Sequence, residues 1–328
     1  MSIDEFWSRV VPFDALISPA NRFYWLYLLS ALALAFGIMF VRMRAVQHDL
    51  LSKTLAAVIR FDVLLHRSAL LDYRLAFVNH LVFSFILGSG LVSSAVTAAG
   101  TRYALGTVFG NDLDTLAAGS VHVILFVLIS MLAYDFADYL QHRLQHAAPV
   151  LWEFHKVHHS AEALTPVTAV RVHPLAALFG SAVISTILGL VQGSFVFISD
   201  VEIPSTVLFG TNASLVLYYT IGAGHLQHSH IWFIFPEPLR KHLVSPALHI
   251  IHHSRDPKHY GKNFGFLFAW WDRIGGSFYV PQPEEQHGLV LGLAAAEHDD
   301  FQTVRQLYWT PFRNVLRPLT AAAARFRS

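Results

Sequence analysis

Apolar residues gather in long runs along this chain, and polar residues gather in two long segments between and after them. Five runs approach the roughly 20 residues that a membrane helix needs: Phe23 to Val41, Leu75 to Ala99, Leu116 to Ala133, Leu175 to Ile198 and Pro204 to Ala223. The first starts after Arg22 and stops at Arg42 and Arg44, too long and too far from the N-terminus for a signal peptide, so it reads as a retained helix. The fourth and fifth are either two crossings or a re-entrant hairpin, and both ends return to one face in either case. The polar segments, Asp135 to His173 and His225 to Ser328, fall on that face. The pattern predicts an all-α integral membrane bundle of about four to five membrane helices carrying a helical cap.

Orientation follows from the basic residues. Of the 23 Lys and Arg, only Arg9, Arg22 and Arg102 fall in the segments on the N-terminal side, so the cap is expected on the cytosolic side. The loop between the last two runs, with Asp200 and Glu202 and no base, agrees.

Composition narrows the function. The chain is 54% apolar and 14% charged, against the roughly 25% charged usual in soluble domains, which argues against a water-soluble enzyme. Having no Cys, it excludes disulfides, thiolate zinc sites, cysteine-ligated haem or iron–sulfur clusters and cysteine nucleophiles. A net charge of +1 argues against nucleic acid as a partner. The outlier is histidine, at 20 residues against 23 Lys and Arg together.

The histidines are clustered. HRLQH holds His142 and His146; HKVHH holds His155, His158 and His159; HLQHSH holds His225, His228 and His230; HIIHH holds His249, His252 and His253. On a helix, positions i, i+3 and i+4 share one face, so each HxxHH sets three imidazoles on one stripe. A zinc ion takes three or four protein ligands, so about ten imidazoles overfill one ion and suit two ions with four or five each. Imidazole serves iron, copper and zinc alike. Iron and oxygen chemistry is favoured because an unactivated lipid C–H bond offers a hydrolytic metal no leaving group. Asp138, at i−4 from His142, and Asp135, at i−3 from Asp138, can lie on the ligand-bearing face and accept a ligand's distal N–H; the alternative is a pair of solvated charges. His80 and His122, inside proposed spans, read as packing residues. A proton or ion transporter would place its ionisable groups near mid-membrane.

The runs DFADYLQHRLQH, LWEFHKVHHSAEALTPVTAVRVHP, LQHSHIW and SPALHIIHHSRDPKHYGKNFGFLFAWWDRIGGSFYVP resemble the fatty acid hydroxylase superfamily, also called the sterol desaturase family. The resemblance implies membrane helices under a cytosolic cap, a di-iron centre where they meet, and use of O2 and two electrons to hydroxylate or desaturate a lipid C–H bond. Carried over residue by residue, the ligands are His142, His146, His155, His158, His159, His249, His252 and His253, with His228 from an intermediate His-Ser-Asn element that here reads His-Ser-His. A tenth is open between His225 and His230; the i, i+3 spacing to His228 selects His225. His173 is a structural position before it is a ligand, Asp272 braces the cap, and His259 is read as a surface residue. The family's Asp-Asn-Tyr-Gly element appears as Lys262-Asn263-Phe264-Gly265 and lacks its acid.

The resulting division is residues 1–134 as membrane helices, 135–281 as the catalytic region with a hairpin at about 175–223, and 282–328 as a tail. The expected cofactors are two iron ions with O2 as co-substrate, with zinc an alternative occupant of purified material. The expected partners are a membrane lipid and a separate electron donor, a small haem or iron–sulfur protein and its reductase. Arg313, Arg317, Arg325 and Arg327 in the tail face anionic lipid, an acidic carrier or solvent. Composition leans toward a bacterial inner membrane. The competing classes are a zinc-dependent lipid hydrolase or metal carrier, and a silent membrane scaffold.

Overall fold

The computed structural model describes residues 14–19, 21–44, 49–84, 93–110, 120–199, 213–221 and 223–325. Among these the chain is helical, with only two isolated β-bridges, Leu243 to Phe268 and Ser254 to Leu291. The helices that matter for the site are α1 (Trp25–Met43), α2 (Arg67–Val82), α3 (Ser94–Phe109), α4 (Ser120–Ala147), α5 (Pro149–His159), α6 (Pro174–Ser199), α7 (Pro246–His252) and α8 (Val304–Arg325).

Among the described residues three helices are long and apolar enough to cross a membrane: Trp25–Met43, Val121–Ala147 and Pro174–Ser199. They correspond to the first, third and fourth apolar runs. Their outward faces are bare of polar cover; Val121, Val123, Ile124, Leu125 and Leu128 of α4 and Leu26, Leu29 and Leu32 of α1 are all exposed. Exposed apolar side chains along helices of this length suit a lipid surround. The chain is an integral membrane protein. The second run is divided: α2 ends at Val82, α3 begins at Ser94, and residues 85–92 lie outside the described residues, as do residues 200–212 of the fifth run and its loop, Arg9, His48 and Arg327.

The small residues at the start of α3 make close helix contacts. The most extensive helix pairing joins α3 to α6, where Gly189 and Gly193 sit one turn apart against Ser94, Thr97, Ala98 and Thr101. A Cβ on Gly189 would come within 2.7 Å of the Ser94 carbonyl, and one on Gly193 within 2.7 Å of Thr101 Cβ and against the Ala98 carbonyl. Gly193→Ala is therefore expected to destabilise by about 1–3 kcal/mol, the usual cost of overpacking. Gly37→Ala in α1, whose added Cβ meets nothing within 4 Å, should be neutral or stabilising by up to about 1 kcal/mol. Thermal unfolding of the two variants in detergent micelles checks the contrast.

The cap is held to α2 by buried polar contacts. Arg171 pairs with Asp72 of α2 at 2.6 Å, the two side chains being 1% and 0% exposed. The same guanidinium donates to the Val157 carbonyl at 2.9 Å and to Ser160 Oγ at 2.8 Å at the end of α5. Thr168 completes the carboxylate's shell at 2.6 Å. Every polar atom of the pair is thus matched, which a buried ion pair requires. The tail is part of this core: Phe301 and Leu307 pack with Leu71 and Leu75 of α2 and Val157 of α5. Arg313 pairs with Asp300 at 2.7 Å.

Candidate metal centre

Helix α4 is 28 residues long, about 42 Å at 1.5 Å per residue, which exceeds the roughly 30 Å of a bilayer's hydrocarbon. Its last turns, which carry His142 and His146, therefore project into the cap. Helix α5 follows at once, started by Pro149 in the first-turn position where its missing N–H costs nothing, and presents His155, His158 and His159. Helix α7, also started by a proline, Pro246, brings His249 and His252, with His253 as its C-cap. His228 comes from the turn after a short helix, Ala223–Leu226.

These nine imidazoles converge as two groups. His142, His146, His155, His159 and His252 form one; His158, His228, His249 and His253 form the other; within each, one ring nitrogen per residue lies within 4.8 Å of all the rest. Each HxxHH is split between the groups. A helix turns about 100° per residue, so i and i+4 diverge by about 40° while i+3 and i+4 diverge by about 100°. Accordingly the i, i+4 pairs stay together, His155 with His159 and His249 with His253, and the i+3 residues His158 and His252 cross to the other group.

The nitrogens fit bound cations. In the five-membered group the Nε2 atoms of His142, His146, His159 and His252 and both ring nitrogens of His155 are buried with no hydrogen-bond partner. In the four-membered group the Nε2 atoms face each other, His158 to His228 at 3.2 Å, His228 to His249 at 3.0 Å and His249 to His253 at 3.2 Å. Converging buried acceptors are costly unless something satisfies them, and a transition-metal ion does so with the nitrogen set imidazole supplies.

Electrostatics keep the rings in the neutral form that binds metal. Burial first, and the neighbouring imidazoles second, hold His155, His159, His228, His249, His252 and His253 well below the ordinary imidazole range, and His158 falls to about 3.

Ring orientation is set by backbone. His142 Nδ1 donates to the Phe264 carbonyl at 2.9 Å and His252 Nδ1 to the Lys262 carbonyl at 2.7 Å, which turns both Nε2 atoms into the group. The Phe264 ring packs 5.1 to 5.6 Å from the rings of His142, His146 and His252. Asp272 fixes this segment by accepting from the Phe264 and Gly265 amides at 2.8 and 2.7 Å and from Ser277 Oγ. Asn263, at φ 57° in the left-handed region that Asn tolerates, donates to the Leu248 and Tyr279 carbonyls. The acid missing at Lys262 is thus no loss for His252, which uses the carbonyl there.

Several predicted residues fall elsewhere. His225 is in neither group; its Nε2 donates to the Arg22 carbonyl at 2.8 Å. His230 Nε2 donates to the Ala57 carbonyl. Asp135 and Asp138 accept from no imidazole: Asp135 binds the Leu267 and Phe268 amides and Trp271 Nε1 at 2.8 to 3.0 Å, bracing the segment next to Asp272's, and Asp138 accepts from Gln141. His173 is structural, with Nε2 on the Tyr308 carbonyl and Nδ1 accepting from the Leu175 amide at the start of α6. His259 is buried, not a surface residue, and meets Glu285 at 3.2 Å. Arg22, which the charge count places on the outer side, lines the cavity beside His142 and His158.

The family model described as fatty acid hydroxylase matches residues 127–277, a span containing all nine imidazoles. Residues 127–277 are a fatty acid hydroxylase superfamily domain. Within that superfamily the chain is similar to an alkylglycerol monooxygenase of Danio rerio, 28% identical over 52% of this chain and 34% of the relative. An ornithine lipid hydroxylase of Rhizobium tropici is 30% identical over 47% and 42%, and a lathosterol oxidase of Mus musculus 26% identical over 58% and 58%. The matches thus cover from about a third to just under three fifths of each relative's length. No solved structure matches the chain.

Proposed function

We propose that this protein, with its fatty acid hydroxylase superfamily domain, is an O2-dependent oxidoreductase that hydroxylates or desaturates a lipid C–H bond at a pair of iron ions. The observation that carries the reading is the convergence of nine imidazoles, eight buried and His146 half-buried, into a group of five and a group of four. That set suits two redox ions better than one hydrolytic zinc, which takes three or four ligands. The relatives' names, a monooxygenase, a hydroxylase and an oxidase of lipids, point the same way. His142, His146, His155, His159 and His252 would hold one ion and His158, His228, His249 and His253 the other.

When bound, the irons supply reductive activation of O2, with electrons from a separate donor at the cytosolic face. The chain's own part is positioning and exclusion of water. A cavity of about 330 Å3 opens on His142, His155, His158, His228 and His249 and continues along the small residues Ala176, Ala177 and Gly180 of the membrane helix α6. An alkyl chain held there lies beside the metals without leaving the bilayer. A second cavity, of about 510 Å3, reaches His146, His159, His252 and His253 from the other side, beside Arg143 and Arg255.

The test is a comparison of total lipids from a host with and without the gene by mass spectrometry. A lipid that gains one oxygen or loses two hydrogens only when the gene is present supports the proposal. An unchanged lipid profile alongside abundant membrane-inserted, metal-loaded protein contradicts it.

A further inference from the structure

A third cavity, about 710 Å3 and largely apolar, lies against the site cavity beside His142 and His158; Leu16, Phe23, Ala76, Phe77, Phe83 and Val170 are among its walls. The two cavities share Arg22, Ala169, Val172 and Ala177, so they meet at one neck. The larger is within the roughly 300–1,000 Å3 range of small-molecule sites and has the surface an alkyl chain needs. The smaller is lined, besides its imidazoles, by the polar side chains of Asp138, Gln141, Gln145 and Gln227.

Among the described residues Arg22 forms no salt bridge at the neck, and Asp138 in the same wall attracts it only at longer range. Among the described residues its guanidinium makes one long hydrogen bond, to the Ala169 carbonyl at 3.4 Å. The nearest acid in the cavity wall, Asp138, accepts from Gln141 at 3.2 Å and makes no salt bridge to Arg22. A guanidinium with a single long hydrogen bond keeps most of its donors free for a ligand in the cavity it lines. A second observation points the same way. Gln145 is 4% exposed, its Oε1 has no hydrogen-bond partner, and its Nε2 is used on Gln141. Gly180 leaves the room for this pair, since a Cβ there would sit 3.0 Å from Gln141 Oε1.

We infer that Arg22 is a headgroup anchor and that the substrate is an anionic amphiphile: its carboxylate or phosphate pairs with Arg22, a neighbouring hydroxyl or amide donates to Gln145 Oε1, and its alkyl chain fills the apolar cavity. This rests on the lipid-oxygenase reading and assigns its substrate class. Arg22 lies outside the matched span 127–277, so the specificity comes from the N-terminal segment.

The test is equilibrium binding of radiolabelled hexadecanoate to the full chain in neutral detergent, with hexadecyl phosphate and hexadecanol as competitors. Wild type should prefer at least one anion over the alcohol by about tenfold or more, the worth of a charge-assisted hydrogen bond, and the better of the two identifies carboxylate or phosphate. Arg22→Gln should erase the preference and Arg22→Lys should keep most of it. Equal binding of acid, phosphate and alcohol by wild type overturns the inference, and so does an undiminished preference in Arg22→Gln. If Arg22→Gln does not fold, the wild-type ratio and Arg22→Lys decide. The same preparations, loaded with iron and given O2 and a chemical reductant in place of the separate donor, are assayed for lipid oxidation. Oxidation without anion preference removes only the headgroup assignment, whereas anion preference without oxidation removes the oxygenase reading.

Discussion

His158→Ala is expected to lose lipid oxidation and to carry about one metal ion per chain in place of two, while the protein stays in the membrane. His158 is the one residue of α5 that joins the group of His228, His249 and His253. Its removal leaves three imidazoles there and five intact in the other group. Changing only the hydrogen-bond partner of a metal ligand already costs about 10–100-fold in affinity, so deleting a ligand should empty that group at ordinary metal concentrations. His225→Ala separates this from a general loss of histidine. Its Nε2 is engaged by the Arg22 carbonyl and not by either group, so both ions should be retained. Normal oxidation by His158→Ala, or loss of an ion in His225→Ala, contradicts the assignment.

The second large effect is in acid. In the folded chain the imidazoles of the cap are held neutral by burial, with His158 lowered to about 3 and His155, His159, His228, His249, His252 and His253 well below 6.5. In the unfolded chain they titrate near 6.5. Above that pH neither state binds protons and no stability is lost. As pH falls below it, the unfolded chain takes up protons that the folded chain refuses, so stability falls with pH. Each such imidazole contributes up to about 1.4 kcal/mol per pH unit, and a few of them together exceed within two units a typical stability of about 5–15 kcal/mol. Metal-stripped protein should therefore lose its near-UV circular dichroism between pH 6.5 and about 4, and metal-loaded protein should hold to lower pH because the ions compete with protons. Identical acid midpoints for the two forms would count against a metal site at these residues.

Much of this was legible in the residues. The runs Phe23 to Val41, Leu116 to Ala133 and Leu175 to Ile198 are the helices long enough to span, because a membrane helix is specified by local hydropathy alone. Four clusters sufficient for two ions were legible from helical spacing. What spacing cannot supply is the partner helix: the split of His158 from His159, and of His252 from His253, depends on where α4 and α7 lie against α5. The choice of His225 as tenth ligand assumed a helix through His228, but the helix there ends at Leu226 and the chain turns. Asp135 sat at a suggestive offset from His142, yet its partners are 132 and 133 residues away in sequence. The supports of His142 and His252 are carbonyls of Phe264 and Lys262, and a main-chain acceptor leaves no trace in residue identity. Arg171 and Asp72, which lock the cap to α2, are separated by 99 residues and belong to no motif.

The central claim is that nine imidazoles hold two ions that oxidise lipid. Elemental analysis of the full chain, purified with its membrane helices intact and assayed before and after chelation and iron reloading, tests it most directly. Two irons per chain are expected, with oxidation lost on their removal and restored by iron. A single zinc per chain, with activity indifferent to iron, would contradict it.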